Sequence, residues 1–70
     1  MHRQPVISSN LASVGYDAMS MTLEVEFNNG TVYQYYNVPE KVYLELMAAS
    51  SHGSYFAHNI KGIYRYKRII

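Results

Sequence analysis

Apolar and polar side chains alternate along one segment of this 70-residue chain. Leu23, Val25 and Phe27 fall on one side of an extended backbone, and the polar or acidic residues between them fall on the other. A repeat of two residues is typical of a strand in an antiparallel sheet that buries one face. With two neighbouring runs of the same kind, the sequence predicts three strands near residues 13–17, 21–27 and 31–36.

The Asn-Asn-Gly turn at residues 28–30 leaves two registers open for the hairpin between the second and third strands. Asn and Gly tolerate the left-handed backbone that such turns need. A two-residue loop would place Tyr33 and Tyr35 on the polar face, beside the acidic residues of the preceding strand. A three-residue loop with Gly30 as a left-handed bulge would place both rings in the core. We favour the second register because it sets Gln34, and not two large rings, on the acidic face.

Two helices are predicted after the sheet. The first covers residues 39–49, where Pro39 suits the first helical position and Val42 and Leu46 recur at helical spacing. The second covers residues 51–61, with a serine pair that can cap its start and a glycine that can end it. Beyond that glycine the chain alternates like an extended segment, although a helical continuation also fits one apolar face.

These elements define one domain of the α+β class, a three-stranded antiparallel sheet followed by two helices, with a C-terminal tail that is extended in one of the two alternatives. A chain this short forms a single domain. We place the domain at residues 6–70 and expect a flexible N-terminus at residues 1–5. The predicted core consists of Val25, Phe27, Val42, Leu46, Phe56 and Ile60.

Composition narrows the class of protein. The chain has no cysteine, so apolar packing must hold a very small domain without a disulfide. No apolar run is long enough to cross a bilayer, and the first residues lack the apolar segment of a signal peptide. We therefore expect a cytoplasmic protein with no membrane partner.

Charge is divided unevenly along the chain. The net charge is only +1, yet all five acidic residues lie at or before Glu45, and four of the six Lys and Arg residues follow it. Such an asymmetry can mark a contact surface for phosphates, and a solvated basic tail gives the same pattern.

Aromatic and basic side chains interleave in the C-terminal segment. Rings that stack on bases and cations that attract phosphates are what single-stranded nucleic-acid binding requires. The candidate binding residues are Lys61, Tyr64, Arg65, Tyr66, Lys67 and Arg68. Tyr33 and Tyr35 are poorly placed to stack on nucleic acid, since one hairpin register buries them and the other sets them beside carboxylates. We predict an RNA- or single-stranded nucleic-acid-binding module. The alternative is a protein-interaction domain that uses exposed tyrosines and a free sheet edge to bind a partner or a second copy.

Polar residues that could support catalysis form no motif. No G-x-S-x-G pattern surrounds Ser8 or Ser9, which are better explained as turn caps. His52 and His58 are too far apart around a helix to share a ligand, and no Cys or carboxylate cluster completes a metal site. Asp17 is expected to fix the adjacent turn through its side chain. We expect no enzyme activity, no metal and no cofactor.

Several short motifs extend from one end of the chain to the other. They are Ser8-Ser9, Val14-Gly15-Tyr16-Asp17, the alternating strand up to Gly30, Val32-Tyr33-x-Tyr35, Val38-Pro39, Ser51-x-Gly53, Tyr55-Phe56 and Tyr64-x-Tyr66. Together they resemble the KTSC domain over about residues 6 to 69. The resemblance implies a short bacterial or phage domain with a central Tyr-x-Tyr motif, found alone or at the C-terminus of some lysyl-tRNA synthetases. The family has no established biochemical role, and the synthetase association favours RNA binding.

Overall fold

Five strands form one sheet, and two helices complete the fold. A computed structural model describes every residue from Met1 to Ile70. The elements are β1 (Gln4–Pro5), β2 (Leu11–Asp17), β3 (Thr22–Phe27), β4 (Val32–Tyr35), α1 (Glu40–Ala48), α2 (His52–Asn59) and β5 (Tyr66–Arg68). All neighbouring strands are antiparallel, in the spatial order β1-β2-β3-β4-β5. No helix is long and apolar enough to cross a membrane.

The α+β class is confirmed, but the prediction of three strands is wrong because two more strands lie at the sheet edges. The three predicted strands are β2, β3 and β4. In β1, Gln4 and Pro5 pair with Val14 and Ser13, so two residues of the predicted flexible N-terminus belong to the sheet. In the C-terminal tail the extended alternative is present as β5, which pairs with β4. β1 has only two residues, too few to show the alternation that predicts a strand, whereas the tail that forms β5 does alternate but also fits a helical face.

The β3–β4 hairpin has the three-residue loop. Tyr33 lies opposite Val25, and Tyr35 lies opposite Leu23. Gly30 has φ +89°, in the left-handed region that favours glycine. The two tyrosines therefore share a face with the apolar residues of β3, as the favoured register predicts.

A bulge in β2 brings two apolar residues to the same face. The pairing shifts between Leu11 and Ser13, so that Leu11 lies opposite Phe27 while Val14 lies opposite Val25. A bulge adds one residue to a strand and interrupts its repeat of two. Leu11 and Val14 are consequently both fully buried, and the alternation visible in the sequence begins only near residue 13.

Both helices begin and end close to their predicted positions. Pro39 directly precedes α1. The hydroxyl of Ser51 accepts the Ser54 N–H at 3.2 Å and caps α2. Gly62 has φ +79° in the turn after α2, where the sequence predicts the end of the helix.

The helices cover one face of the sheet and enclose the core. The predicted core residues that are buried are Val25, Leu46, Phe56 and Ile60, and the two that are half-buried at its margin are Phe27 and Val42. Leu23 and Tyr35 are buried as well, as the favoured hairpin register predicts. Buried apolar residues that the sequence did not indicate are Leu11, Val14, Val32 and Val38. We call the uncovered side of the sheet, which carries Ser13, Glu24, Glu26 and Gln34, the open face.

Candidate functional site: an aromatic groove beside the second helix

A groove of about 670 Å³ lies between α2, the β3–β4 hairpin and β5, on the side of the sheet that the helices cover. Its aromatic and basic lining consists of Phe27, Tyr33, Tyr35, Phe56, Lys61 and Tyr66, and its polar rim of Asn10, Asn28, Asn29 and Thr31. No carboxylate lines it. We call it the aromatic groove.

The rings of the groove form a continuous cluster. Tyr35 packs edge to face against Phe56, with ring centroids 5.4 Å apart. Tyr66 lies 5.7 Å from the ring centroids of both Tyr33 and Tyr35. Tyr35 is only 5% exposed, Tyr33 is half-buried and Tyr66 is 61% exposed. The cluster therefore passes from a buried floor to an exposed edge, where a ring is free to stack on a ligand.

Strand pairing explains why these rings meet. Tyr33 and Tyr35 are two residues apart on β4 and so point to the same face. β5 sets Tyr66 opposite Tyr35, and Arg68 opposite Tyr33. Tyr66 and Arg68 therefore share the face of the aromatic groove, whereas Lys67 between them points to the open face.

The Tyr35 hydroxyl makes no hydrogen bond within the protein, although its side chain is almost fully buried. No unpaired side-chain oxygen or nitrogen is sealed from solvent, so this hydroxyl is in contact with the space of the groove that Tyr35 lines. Burial, with the neighbouring Tyr33 and Tyr66, raises the pKa of Tyr35 to about 12. The hydroxyl is therefore protonated at neutral pH and can both donate and accept a hydrogen bond.

The groove also offers a cation, Lys61, and an amide, Asn10, that have no partner in the protein. Lys61 is exposed and forms no salt bridge, since the ion pair of this structure lies on the open face. The side chains of Asn28 and Asn29 hydrogen-bond to neighbouring residues. The side-chain amide of Asn10 has no partner in the protein and lines the groove.

The open face holds acidic side chains in a hydrogen-bonded network. Arg3 Nη1 donates to Glu24 Oε2 at 2.5 Å, and Gln34 Nε2 donates to Glu24 Oε1 at 2.9 Å. Arg3 Nε also donates to the Ser13 hydroxyl, which donates in turn to Glu26. Burial alone would raise the pKa of Glu24, but the hydrogen bonds from Gln34 and Arg3 and the Arg3 charge outweigh it and lower that pKa. These carboxylates are separated from the aromatic groove by the sheet itself.

Gly15 makes room for this network. A β carbon at Gly15 would lie 2.6 Å from the backbone oxygen of His2 and 3.1 Å from Cγ of Arg3. The absence of a side chain lets β1 approach closely, and the Arg3 stem crosses Gly15 to reach Glu24.

The predicted C-terminal binding residues divide between different parts of the molecule. Three of the six lie on the groove face: Lys61, Tyr66 and Arg68. The other three, Tyr64, Arg65 and Lys67, lie elsewhere. Tyr64 packs against the hydrophobic core. Lys67 points to the open face because alternate residues of a strand point to opposite sides. The cations of the tail therefore do not form one continuous patch.

The sequence prediction assigned no binding role to the rings of β4. Tyr35 is buried, as the favoured register predicts, whereas Tyr33 lines the groove and is only partly buried, so that its ring keeps some accessible surface. The favoured hairpin register contained the signal, because it already sets both rings on the side opposite the carboxylates. No local sequence pattern predicts that α2 packs beside these rings.

Residues considered for catalysis have local structural contacts. The Ser8 hydroxyl accepts hydrogen bonds from the backbone N–H groups of Asn10 and Leu11, both at 3.2 Å. Asp17 fixes its turn, as predicted, because its carboxylate accepts hydrogen bonds from the Met19 N–H and the Ser20 hydroxyl. His52 Nδ1 lies 2.9 Å from a carbonyl at the end of α1, and His58 Nδ1 lies 2.8 Å from a carbonyl of its own helix. No group of three His, Cys, Asp or Glu residues could hold a metal ion.

Fold and sequence together place the chain in a known family. The KTSC domain model matches residues 7–66, and the chain belongs to the KTSC domain family. The crystal structure of a KTSC domain protein from Yersinia pestis superposes with a TM-score of 0.94 at 41% identity, covering 99% of this chain and 97% of that one. A protein of Stutzerimonas stutzeri is 44% identical over 70 residues, 99% of each chain.

Lysine-tRNA ligases contain a similar segment. The ligase of Trichormus variabilis is 43% identical over 54 residues, which are 77% of this chain and 10% of the ligase. The ligase of a Nostoc species is 41% identical over 54 residues, with the same coverage. This chain therefore corresponds to one small part of those enzymes.

Proposed function

We propose that this KTSC domain binds single-stranded nucleic acid, in particular RNA, through the aromatic groove. The observation that carries the proposal is the combination of accessible tyrosine rings, an unpaired lysine and no carboxylate in one groove of about 670 Å³. Stacking of a base on an aromatic side chain is worth about 1–3 kcal/mol. Tyr66 offers the most exposed ring for such stacking, and Tyr33 flanks it.

Lys61 and Arg68 supply positive charge beside these rings. Lys61 lines the groove, and Arg68 lies on the same face opposite Tyr33. Each phosphate contact to a single strand contributes roughly −0.7 to the slope of log affinity against log salt. Two contacts therefore give a slope of about −1.4, a modest electrostatic contribution added to stacking.

The acidic residues do not oppose a phosphate at the groove. Glu24 and Glu26 lie on the open face, and Arg3 compensates the charge of Glu24 directly. A chain with a net charge of only +1 thus presents a locally positive, aromatic surface on one side.

The relatives support RNA as the ligand class. Lysine-tRNA ligases, whose names state a tRNA substrate, contain a segment 41–43% identical to this chain over 54 residues. We propose that the domain acts in the cytoplasm as a binding module without a catalytic step. The groove lining offers neither a histidine nor a carboxylate as a general base.

The free edge of β5 supports binding of a protein partner, but less strongly than the aromatic groove supports binding of nucleic acid. An edge strand can pair with a strand of another molecule. Lys67 and Arg68 disfavour pairing with a second copy in which β5 faces β5, since like charges would then face each other. A protein partner is the alternative that the binding experiment must distinguish.

Fluorescence anisotropy with labelled RNA and DNA hexamers at several salt concentrations tests the proposal. Tyr66→Ala should weaken binding by about 1–3 kcal/mol and leave the salt slope unchanged. Lys61→Ala should flatten the slope by about 0.7. Lys67→Ala is the matched control, because it removes the same charge from the opposite face and should leave the slope close to that of the parent.

Two results would contradict nucleic-acid binding at the groove. One is the absence of binding at low salt. The other is an equal effect of Lys61→Ala and Lys67→Ala on the slope, which would show that the cations act without regard to the face they occupy. Concentration-dependent association of the parent in sedimentation, without any oligonucleotide binding, would instead support the protein-interaction alternative.

A further inference from the structure

The tyrosine hydroxyls of this protein differ in whether they have a hydrogen-bond partner within the protein. The hydroxyls of Tyr16, Tyr36 and Tyr55 each donate a hydrogen bond to a neighbouring residue. The other five tyrosine hydroxyls have no partner in the protein, and among the groove tyrosines Tyr35 is the most buried at 5% exposure. The ring of Tyr35 is buried, but its hydroxyl oxygen reaches the space of the groove, where a water or a ligand can be its hydrogen-bond partner.

A second unpaired polar group lies at the rim of the same groove. The side-chain amide of Asn10 hydrogen-bonds to nothing in the protein and lines the groove opening. An amide and a hydroxyl can each donate and accept hydrogen bonds. The same groove is lined by the rings of Tyr33 and Tyr66, whose centroids are 5.7 Å apart. Apolar faces with hydrogen-bonding groups at floor and rim match a planar ligand that has a polar edge, as a nucleobase does.

We propose that the aromatic groove takes one base of the bound strand and reads the edge of that base through the Tyr35 hydroxyl and the Asn10 amide. This inference rests on the proposed function and adds a sequence preference to it. The base stacks on Tyr66, and its phosphate lies at the rim beside Lys61. Stacking and phosphate contacts alone would bind every sequence alike.

The exposure of the rings limits the site to a single base. Tyr66 is the one groove ring that is largely exposed, whereas Phe56 and Tyr35 are covered by their neighbours. A second base would find no second exposed platform beside the first. The neighbouring nucleotides are therefore held by their phosphates only.

The test uses labelled RNA hexamers that differ at one central base, with affinity measured by anisotropy. The parent should prefer one base over the weakest by about 2- to 10-fold, the effect of one net hydrogen bond. Tyr35→Phe keeps the ring and removes the hydroxyl, so it should abolish this preference without lowering the melting temperature. Asn10→Ala should reduce the preference in part. Tyr36→Phe is the control, because its hydroxyl bonds Gln34 on the open face, and it should keep the preference.

Each other outcome overturns a defined part of this account. If the parent binds all four hexamers equally, or if Tyr35→Phe keeps the preference, base reading is overturned while nucleic-acid binding stands. If Tyr35→Phe melts well below the parent, the hydroxyl has a structural partner and base reading is overturned too. If the parent binds no hexamer, the proposed function itself fails.

Discussion

The environment of Glu24 depends on residues far from it in the sequence. The alternation of β3 places its side chain on the polar side of the strand, yet it is only 6% exposed. Its partner Arg3 is 21 residues away, and Gln34 reaches it from the next strand. Alternation predicts which side of a strand a residue takes, but it does not predict what covers that side.

Stability at acidic pH should depend on Glu24. Its pKa is lower in the folded protein than in the unfolded chain, so its ionised form stabilises the fold above the unfolded value of about 4.3. That contribution is lost as the pH falls through the lower folded value. Denaturant unfolding between pH 7 and pH 2 should show a smaller loss for Glu24→Gln than for the parent. Identical profiles for Glu24→Gln and the parent would contradict the role of Glu24.

At the scale of elements, the sequence predicts what local signals determine. Gly30 in the turn fixes the β3–β4 register, and Ser51 and Gly62 mark the ends of α2. The two edge strands have weaker signals: β1 has only two residues, and the alternation of the tail around β5 is also compatible with a helix. Their positions follow from pairing with distant strands, which a single sequence does not reveal.

Gly15→Ala should displace β1 from the sheet. The added carbon would lie 2.6 Å from the backbone oxygen of His2, just before β1. This distance is too short for a contact, so the backbone of the N-terminal segment would have to move. Overpacking of this kind costs about 1–3 kcal/mol, and here it also separates Arg3 from Glu24. Denaturant unfolding measures this loss. Gly53→Ala is the control, because its added carbon would meet only ordinary contacts at 3.5 Å, and equal stability of the two variants would contradict the close approach at Gly15.

At the scale of the whole molecule, the sequence predicts the chemistry of the candidate site better than its location. It identifies Lys61, Tyr66 and Arg68 among six residues, but the pairing of β5 decides which of the six share a face. The groove itself exists because α2 brings Phe56 against Tyr35, a contact between separate elements that no local pattern encodes.

Two faces of one sheet carry different chemistry. The open face pairs its carboxylates with Arg3, Ser13 and Gln34, and the opposite face carries a cluster of rings beside an amide and a lysine that have no partner in the protein. We propose the second of these faces as the binding surface. NMR signals of side chains distinguish the two faces better than backbone NMR signals do, because side chains of the two faces point to opposite sides of the same backbone.

An NMR titration of the labelled protein with an RNA hexamer tests this claim most directly. If RNA binds in the groove, the Tyr66 and Tyr33 ring signals and the Asn10 side-chain amide signal should shift together and saturate at one concentration. The Gln34 side-chain amide, on the open face, should stay in place. Shifts of Gln34 with unchanged Tyr66 and Asn10 signals would contradict the account and place binding on the opposite side of the sheet.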